Sequence, residues 1–473
     1  MDTHTILLVL ILIAGLYMAW NIGANDVANA MGTSVGSGAL TLKQAILVAA
    51  VLEFSGSFFF GAHVSSTLQS GIIQNETFAN QPYQLVYGML AALIATGAWL
   101  QVASYYGWPV STTHAIVGGV IGFGAIVGGI DAIQWNNVSY IVSSWVLSPI
   151  FGGLISYWLF MILRKQVLYT ANPVEKAKQL LPILVFCVLI TLCLILFYSG
   201  FHNIDLGLGL TETAFICLGI SSAGSLVSYV LVQRIQDVPV KAHVHPYSDE
   251  VFSSLEKAKK QLQQVEVTSR GQVQYQVSQL IGEIDNLSSS LKPNLDNRTM
   301  SQEFLTVERI FGYLQILSAC LMAFAHGAND VANAIGPLSA AIDVLNTGMV
   351  NSQAIVPTWA LALGGIGIVI GLATWGWRVI LTIGKKITEL TPTRGFAAEF
   401  GAAFTILAAS RLGMPISTTH TLVGSVIGVG MARGLEALDL STIRYIIISW
   451  IVTIPISAAI TVAFFYCLQA IFG

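Results

Sequence analysis

Hydrophobic and polar positions alternate on a long scale along this chain. Apolar runs cover residues 5–24, 43–62, 84–105, 109–129, 138–163, 180–199, 212–232, 309–328, 354–377, 395–411, 414–432 and 443–470. A helix needs roughly 20 apolar residues to cross a bilayer core, and the two-residue alternation of a membrane barrel is absent. The pattern therefore predicts an all-α polytopic membrane protein of about twelve transmembrane helices. One interval breaks the rhythm. Residues 233–308 are polar, with EKAKK and apolar residues only at intervals (Val251, Leu255, Leu262, Val265, Leu280), and read as a water-exposed, largely helical insert.

Composition agrees, with 55% apolar and 10% charged residues where a soluble domain carries about 25% charged. The net charge of -3 carries no message about partners, because the charges are concentrated in a few loops, and nucleic-acid binding has no support. The distribution of the basic residues is informative. With the N-terminus outside, Lys43, Arg164, Lys165, Lys176, Lys178, the basic residues of the insert, Arg378, Lys385, Lys386, Arg394, Arg433 and Arg444 all fall on the cytoplasmic side; of 21 basic residues only Arg411 sits elsewhere. This asymmetry predicts an even number of spans, both termini outside, a cytoplasmic insert, and a cell (plasma or inner) membrane location. The first apolar run lacks a basic flank and reads as a helix rather than a cleaved leader. Cysteines 187, 193, 217, 320 and 467 fall singly in apolar runs and read as small core residues, without metal-ligand or disulfide spacing.

Internal repetition changes the picture most. GANDVANA occurs at residues 23–30 and again, identical, at 327–334; PVSTTHAIVGGVIGFG at 109–124 returns as PISTTHTLVGSVIGVG at 415–430. A fainter pair, Ser144-Trp145 with Pro149 and Ser449-Trp450 with Pro455, extends the match. The chain divides into a first repeat (1–163), two linking helices (164–232), the insert (233–308) and a second repeat (309–473). Seven spans precede the second repeat, an odd number, so the repeats are inverted. Inverted repeats with broken or re-entrant helices are the architecture of secondary transporters, whose substrate lies near the bilayer midplane between the repeats.

The duplicated motifs supply candidate chemistry. Asp26 and Asp330, flanked by Asn25, Asn29, Asn329 and Asn333, place oxygen-rich groups inside apolar segments, beside Gly23 and Gly327, which permit local unwinding and exposed carbonyls. Such oxygens suit a hard monovalent cation; capping or bonding between helices is the structural alternative. In the second motif, Pro109 and Pro415 suit a first turn and Ser111 and Ser417 an N-cap, so free N–H groups and the hydroxyls of Thr112, Thr113, Thr418 and Thr419 can replace the hydration shell of a tetrahedral oxyanion. Simple capping explains one such tip better than it explains two.

Several single residues carry weaker signals. His114 and His420 close the second motif and can donate to an anion, move a proton, or bond across helices. His326 has no counterpart at Ile22 and gains nothing from the repeat. Glu53 and Glu399 are intramembrane acids but not repeat mates, and can serve as cation ligands, proton carriers or partners of Arg411. Gln101, ahead of the first tip, is a candidate neutral phosphate ligand or a helix-interface residue.

The doubled GANDVANA, the doubled P[VI]STTH and the acid-bearing VLEFSG and FAAEFG segments resemble the PiT family of inorganic phosphate transporters, over nearly the whole chain except the insert. The resemblance implies a twelve-span dimeric symporter that carries phosphate with sodium or, in some members, with protons. It implies phosphate contacts at Ser111, Thr112, Thr113, Ser417, Thr418 and Thr419, cation contacts around Asn25, Asp26, Asn329 and Asp330, and a role for Glu53 and Glu399. The expectation is sodium-coupled phosphate import by alternating access, with no cofactor beyond sodium as coupling ion. Rivals are proton coupling, a sulfate carrier on the same scaffold, and a channel or receptor scaffold; no span offers a base and nucleophile in an aqueous cleft, so an enzyme is not expected.

Overall fold

The computed structural model describes the chain except for residues 1, 199–208, 236–248, 269–270, 292–301, 352–354, 378, 381–389 and 435–437. Arg378, Lys385 and Lys386, and parts of the 233–308 insert, therefore lie outside the described residues. The first repeat comprises α1 (Thr3–Gly36), α2 (Leu42–Phe60), a short α3 (Ala62–Ser70), α4 (Pro82–Tyr106), α5 (Thr112–Phe123) and α6 (Trp135–Leu163). The linking helices are α7 (Pro173–Tyr198) and α8 (Leu210–Gln233), and the insert contains α9 (Asp249–Thr268) and α10 (Gln272–Leu291). The second repeat comprises α11 (Gln302–Asp330), α12 (Ala332–Thr347), α13 (Thr358–Thr374), α14 (Pro392–Arg411), α15 (Thr418–Arg433) and α16 (Leu440–Phe472).

Packing between elements repeats in pairs. α1 packs on α4 as α11 packs on α14; α1 on α13 as α11 on α2; α5 on α16 as α15 on α6. Each repeat thus supplies the wall against which the other's short helix rests. The π-turn Gly124–Gly128 extends α5, yet neither α5 nor the 16-residue α15 reaches the roughly 20 residues of a full crossing. At 1.5 Å per residue the 12 residues of α5 cover about 18 Å, so a helix anchored at one bilayer face ends inside the hydrocarbon core. α4 and α14, with 25 and 20 residues, are long enough to cross.

The tight turns into these short helices are encoded by matched glycines. Gly107 (φ 68°) and Gly413 (φ 67°) adopt the left-handed conformation that a side chain resists, and Trp108 and Met414 then donate back to the carbonyls of Ala103 (2.8 Å) and Ala409 (3.0 Å).

The glycines of GANDVANA act differently from the unwinding expected of them. α1 is helical without interruption through Gly23–Ala30, and the second copy is interrupted only at Val331, between α11 and α12. A Cβ at Gly23 would overlap the carbonyl of Ile368 on α13, and one at Gly327 the carbonyl of Glu53 on α2. Small residues in membrane helices let backbones touch, and that packing, not exposed carbonyls, accounts for both.

α9 and α10 form an antiparallel pair turning at Gly271 (φ 67°), with Lys259 and Asp285 2.6 Å apart. The cysteines are all free, but only Cys193 and Cys217 are buried; Cys320 is half-buried and Cys187 and Cys467 are exposed, correcting their reading as uniform core residues.

Candidate functional site

The two tips, residues 109–114 and 415–420, meet in the buried interior. Ser111 and Ser417 are the N-caps of α5 and α15, each accepting from the backbone N–H three residues on, His114 and His420, at 3.2 Å. The prolines stand two residues before the caps rather than in the first turn. Thr112, Thr113, Thr418 and Thr419 open the two helices, so their N–H groups have no intrahelical carbonyl to bond. All four are at most 2% exposed. Thr113 donates to the carbonyl of Ile416 (3.0 Å) and Thr419 to that of Val110 (3.3 Å), which ties each tip to the other's approach.

The GANDVANA helices cross these tips with repeat-exchanged partners. Asn29 of the first repeat donates to Thr419 of the second (2.8 Å), and Asn333 of the second donates to Thr112 (3.1 Å) and Thr113 (3.3 Å) of the first. Asn25 donates to Ser104 (3.0 Å) and the Trp108 carbonyl (3.2 Å); its mate Asn329 donates to Ser410 (2.9 Å) and the Met414 carbonyl (3.2 Å). With both amide nitrogens occupied, the Oδ1 atoms of Asn25 and Asn329 are buried without a donor, as are Asp26 Oδ2 and Asp330 Oδ1. Leaving a buried acceptor unsatisfied costs about 1–3 kcal/mol. Four such oxygens, contributed equally by the two repeats, are of the hard type that a monovalent cation takes.

Asp26, His326 and Asp330 converge, their ligating atoms all within 4.8 Å of one another. His326 lies 3.0 Å from Asp330 Oδ2 through Nε2 and 3.4 Å from Glu53 Oε1 through Nδ1, so Glu53 joins the cluster through this ring. Thr418 also donates to Asp330, at 2.7 Å. His326 breaks the twofold pattern, and for that reason the repeat could not reveal it; Ser104 and Ser410, by contrast, are repeat mates at the spacing of the tips and were detectable that way.

Glu399 is held elsewhere. Its carboxylate accepts from Thr33, Ser34 (2.5 Å), Ser318 (2.6 Å) and Gln315 (3.3 Å), joining α14 to α1 and α11. Among the described residues no ion pair links Glu53 or Glu399 to Arg411, which is exposed at the end of α14. Gln101 accepts from the Tyr17 hydroxyl (2.5 Å) rather than from a tip residue, so it works at the α1–α4 interface.

Behind the tips the two imidazoles lie between two indoles, His420 stacked on Trp450 and the imidazoles edge to face with each other. Ring centroids are 3.9 Å apart for Trp145 and His114, 4.3 Å for His114 and His420, and 3.5 Å for His420 and Trp450. His420 Nδ1 donates to the Trp145 carbonyl (3.3 Å), which Pro149, four residues on, deprives of its helical donor; His114 Nδ1 donates to the Trp450 carbonyl (3.4 Å). The indoles are not equivalent. Trp145 Nε1 donates to the carbonyl of Pro415 (3.2 Å), whereas Trp450 Nε1 is buried without a partner.

Known proteins share this organisation. A sequence model of the phosphate transporter family matches residues 22–461. The chain is 46% identical over 456 residues, 96% of its length and 70% of the relative's, to the inorganic phosphate transporter 2-1, chloroplastic, of Arabidopsis thaliana. It is 42% identical over 468 residues to a putative phosphate permease of Chlamydia pneumoniae, covering 98% of this chain and 99% of that one. A solved structure described as the sodium-dependent phosphate transporter superposes with a TM-score of 0.77 at 38% identity, covering 98% of this chain and 99% of the other. Duplicated motifs, interleaved packing and these likenesses agree: the chain belongs to the phosphate transporter family, a family of transporters rather than enzymes.

Proposed function

We propose that the protein is a sodium-coupled phosphate symporter, with phosphate received by Ser111, Thr112, Thr113, Ser417, Thr418 and Thr419 and sodium by Asn25, Asp26, Asn329 and Asp330. The observation that carries this reading is the set of four donorless buried oxygens adjoining two helix tips. Helix N-termini carry positive partial charge, and neutral hydroxyl and amide donors hold an oxyanion without the permanent charge that would resist its release. Asn29 and Asn333 orient the tip hydroxyls, and Glu53 and His326 brace Asp330.

Charge accounts for coupling. Moving one negative charge inward against 100 mV costs about 2.3 kcal/mol, and two sodium ions travelling with a monovalent phosphate reverse that sign while neutralising the anion in a low-dielectric site. The inverted repeats then exchange roles in alternating access, around a fixed midplane site. In this reading the insert is cytoplasmic, both termini are outside, the chain sits in the cell membrane, and the transporter is a homodimer.

Phosphate uptake into proteoliposomes tests the assignment, with sodium and proton gradients imposed separately and sulfate as competitor. Uptake driven by sodium at equal internal and external pH, and resistant to excess sulfate, is expected. Uptake that follows the pH gradient in sodium-free buffer would transfer coupling to protons, and equal sulfate competition would make the site a general tetrahedral-anion site.

A further inference from the structure

The helical hairpin of the insert is written on a seven-residue repeat. Counting Leu255 and Leu262 of α9 and Val277 and Ile284 of α10 as position a places Ala258, Val265, Val273, Leu280 and Leu287 at d, and Lys259, Glu266, Ile281 and Ser288 at e. The fold uses these rows unequally. The a and e residues just named are all buried or half-buried, whereas Val265, Leu280, Leu287 and Val273 are 44%, 47%, 49% and 54% exposed. Among the described residues α9 and α10 pack substantially only on each other, so the a and e rows form the seam of the hairpin and the d rows lie outside it.

At 3.6 residues per turn, d stands about 80° from the middle of the a/e seam. Because the two helices run antiparallel, this rotation carries both d rows to the same side of the hairpin. That side presents one apolar row from each helix, nearly a quarter turn from the contact the helices already make. A core built from a, d and e is the pattern of a helix bundle, and the hairpin is half of a four-helix one. Its charges stand elsewhere: Glu256, Lys257, Lys260 and Asp285 fall at b, c or f, and Glu283 is the only charge among the d and g positions from 254 to 287.

We propose that this face docks on the same face of a second copy of the chain, closing a four-helix bundle in which α9 lies against α10 of the other copy. Self-complementarity selects this occupant. Lys259 and Asp285, 2.6 Å apart, fix the level of the two helices, and at that level Val265 stands opposite Leu280 and Ala258 opposite Leu287. A twofold axis along the hairpin keeps every level, makes all neighbours antiparallel, and sets Val265 on Leu280, and small Ala258 on large Leu287, of the second copy. The same operation brings the basic run Lys257, Lys259 and Lys260 level with Glu283 and Asp285 of the second copy, opposite charges throughout. Other occupants fit worse. The insert's sequence outside 249–291 holds no further heptad run from which this chain could supply the missing helices. Residues 249–291 carry six acids against four bases and no tryptophan, the reverse of the cationic, aromatic-bearing helix that settles on an anionic bilayer. This pairing is independent of what the membrane body transports.

The test is disulfide cross-linking between differently tagged full chains, reconstituted together and oxidised with copper phenanthroline. One chain carries Val265→Cys and the other Leu280→Cys; the wild-type mixture, with its own five cysteines, sets the blank. Linked heterodimers are expected at about tenfold or more the yield of a control pair on the opposite face, Lys260→Cys with Gly282→Cys, because chains held in one bundle meet at effective concentrations of order millimolar. The pair Ala258→Cys with Leu287→Cys should behave like the first, and so keeps the test decisive if Val265→Cys or Leu280→Cys fails to fold, as read from thermal midpoints in detergent. Equal yields from test and control pairs would reduce the contact to random collision and overturn the proposal. Absence of both test adducts from chains with wild-type midpoints would do the same, as would labelling of the Leu280→Cys thiol by a maleimide carried on a lipid tail, which would lay this face on the bilayer.

Discussion

Asn25 and Asn329 offer the sharpest test of how the two repeats share one site. In each, the amide nitrogen spends its hydrogens on a serine hydroxyl and a turn carbonyl of the following helix pair, which leaves Oδ1 buried without a donor. Asn329→Ala removes two hydrogen bonds, worth about 0.5–1.5 kcal/mol each. Ser410 keeps its own donation to the Ile406 carbonyl (2.9 Å), so the carbonyl of Met414 bears most of the loss. The stability cost should be about 2 kcal/mol. A proposed sodium ligand disappears as well; contacts to charged groups contribute about 1.5–3 kcal/mol, which is roughly 10- to 100-fold in sodium affinity. Asn25→Ala should match it, since Ser104 and Trp108 repeat the same contacts. The assay is the sodium concentration giving half-maximal phosphate uptake in proteoliposomes, with the thermal midpoint as the measure of fold. An unchanged sodium requirement in either variant would refute the reasoning, as would effects differing more than tenfold between the mates.

Other consequences follow from the same geometry. Glu399→Gln leaves one acceptor oxygen, enough for the three donors now on Oε1 but not for Ser318 on Oε2, and should lower the thermal midpoint less than Glu399→Ala, which strands all four donors; equal stability of Glu399→Ala and wild type would sink this account. Gly23→Ala and Gly327→Ala force a methyl against a neighbouring backbone carbonyl and should each destabilise by about 1–3 kcal/mol, while Gly312→Ala, with open space around its Cβ, should be neutral or better in the same thermal assay. Trp145→Phe loses a hydrogen bond to Pro415 that Trp450→Phe does not, so only the former should shift the balance of inward and outward accessibility seen by cysteine labelling at the tips; equal shifts would show the indoles to be interchangeable.

Much of this architecture was legible because the chain writes it twice. The identical GANDVANA octets and the matched tips announced two copies of one unit; the same spacing relates Ser104 to Ser410 and Gly107 to Gly413, a pairing that the motifs alone did not single out. Partner choice across the interface was less legible. That Asn29 bonds Thr419, or that Thr33 and Ser318 gather around Glu399, depends on helices brought together over tens to hundreds of intervening residues, and a lone hydroxyl in an apolar helix does not name its partner. His326 was undervalued because it breaks the repeat, although it bridges Glu53 and Asp330. Gly23 and Gly327 were misread because glycine permits both an unwound turn and a close helix contact, and only the neighbouring carbonyl distinguishes the two. The faint Ser-Trp pair marked the repeat without revealing that its indoles enclose the two histidines.

Phosphate binding to the purified protein, measured calorimetrically with and without sodium at fixed ionic strength, tests the shared site most directly. The account predicts phosphate binding in sodium that falls at least tenfold when choline replaces it, and that loses this sodium dependence in Asp26→Asn/Asp330→Asn. Phosphate binding of equal strength in sodium and choline, or a sodium dependence that survives removal of both carboxylates, would contradict it.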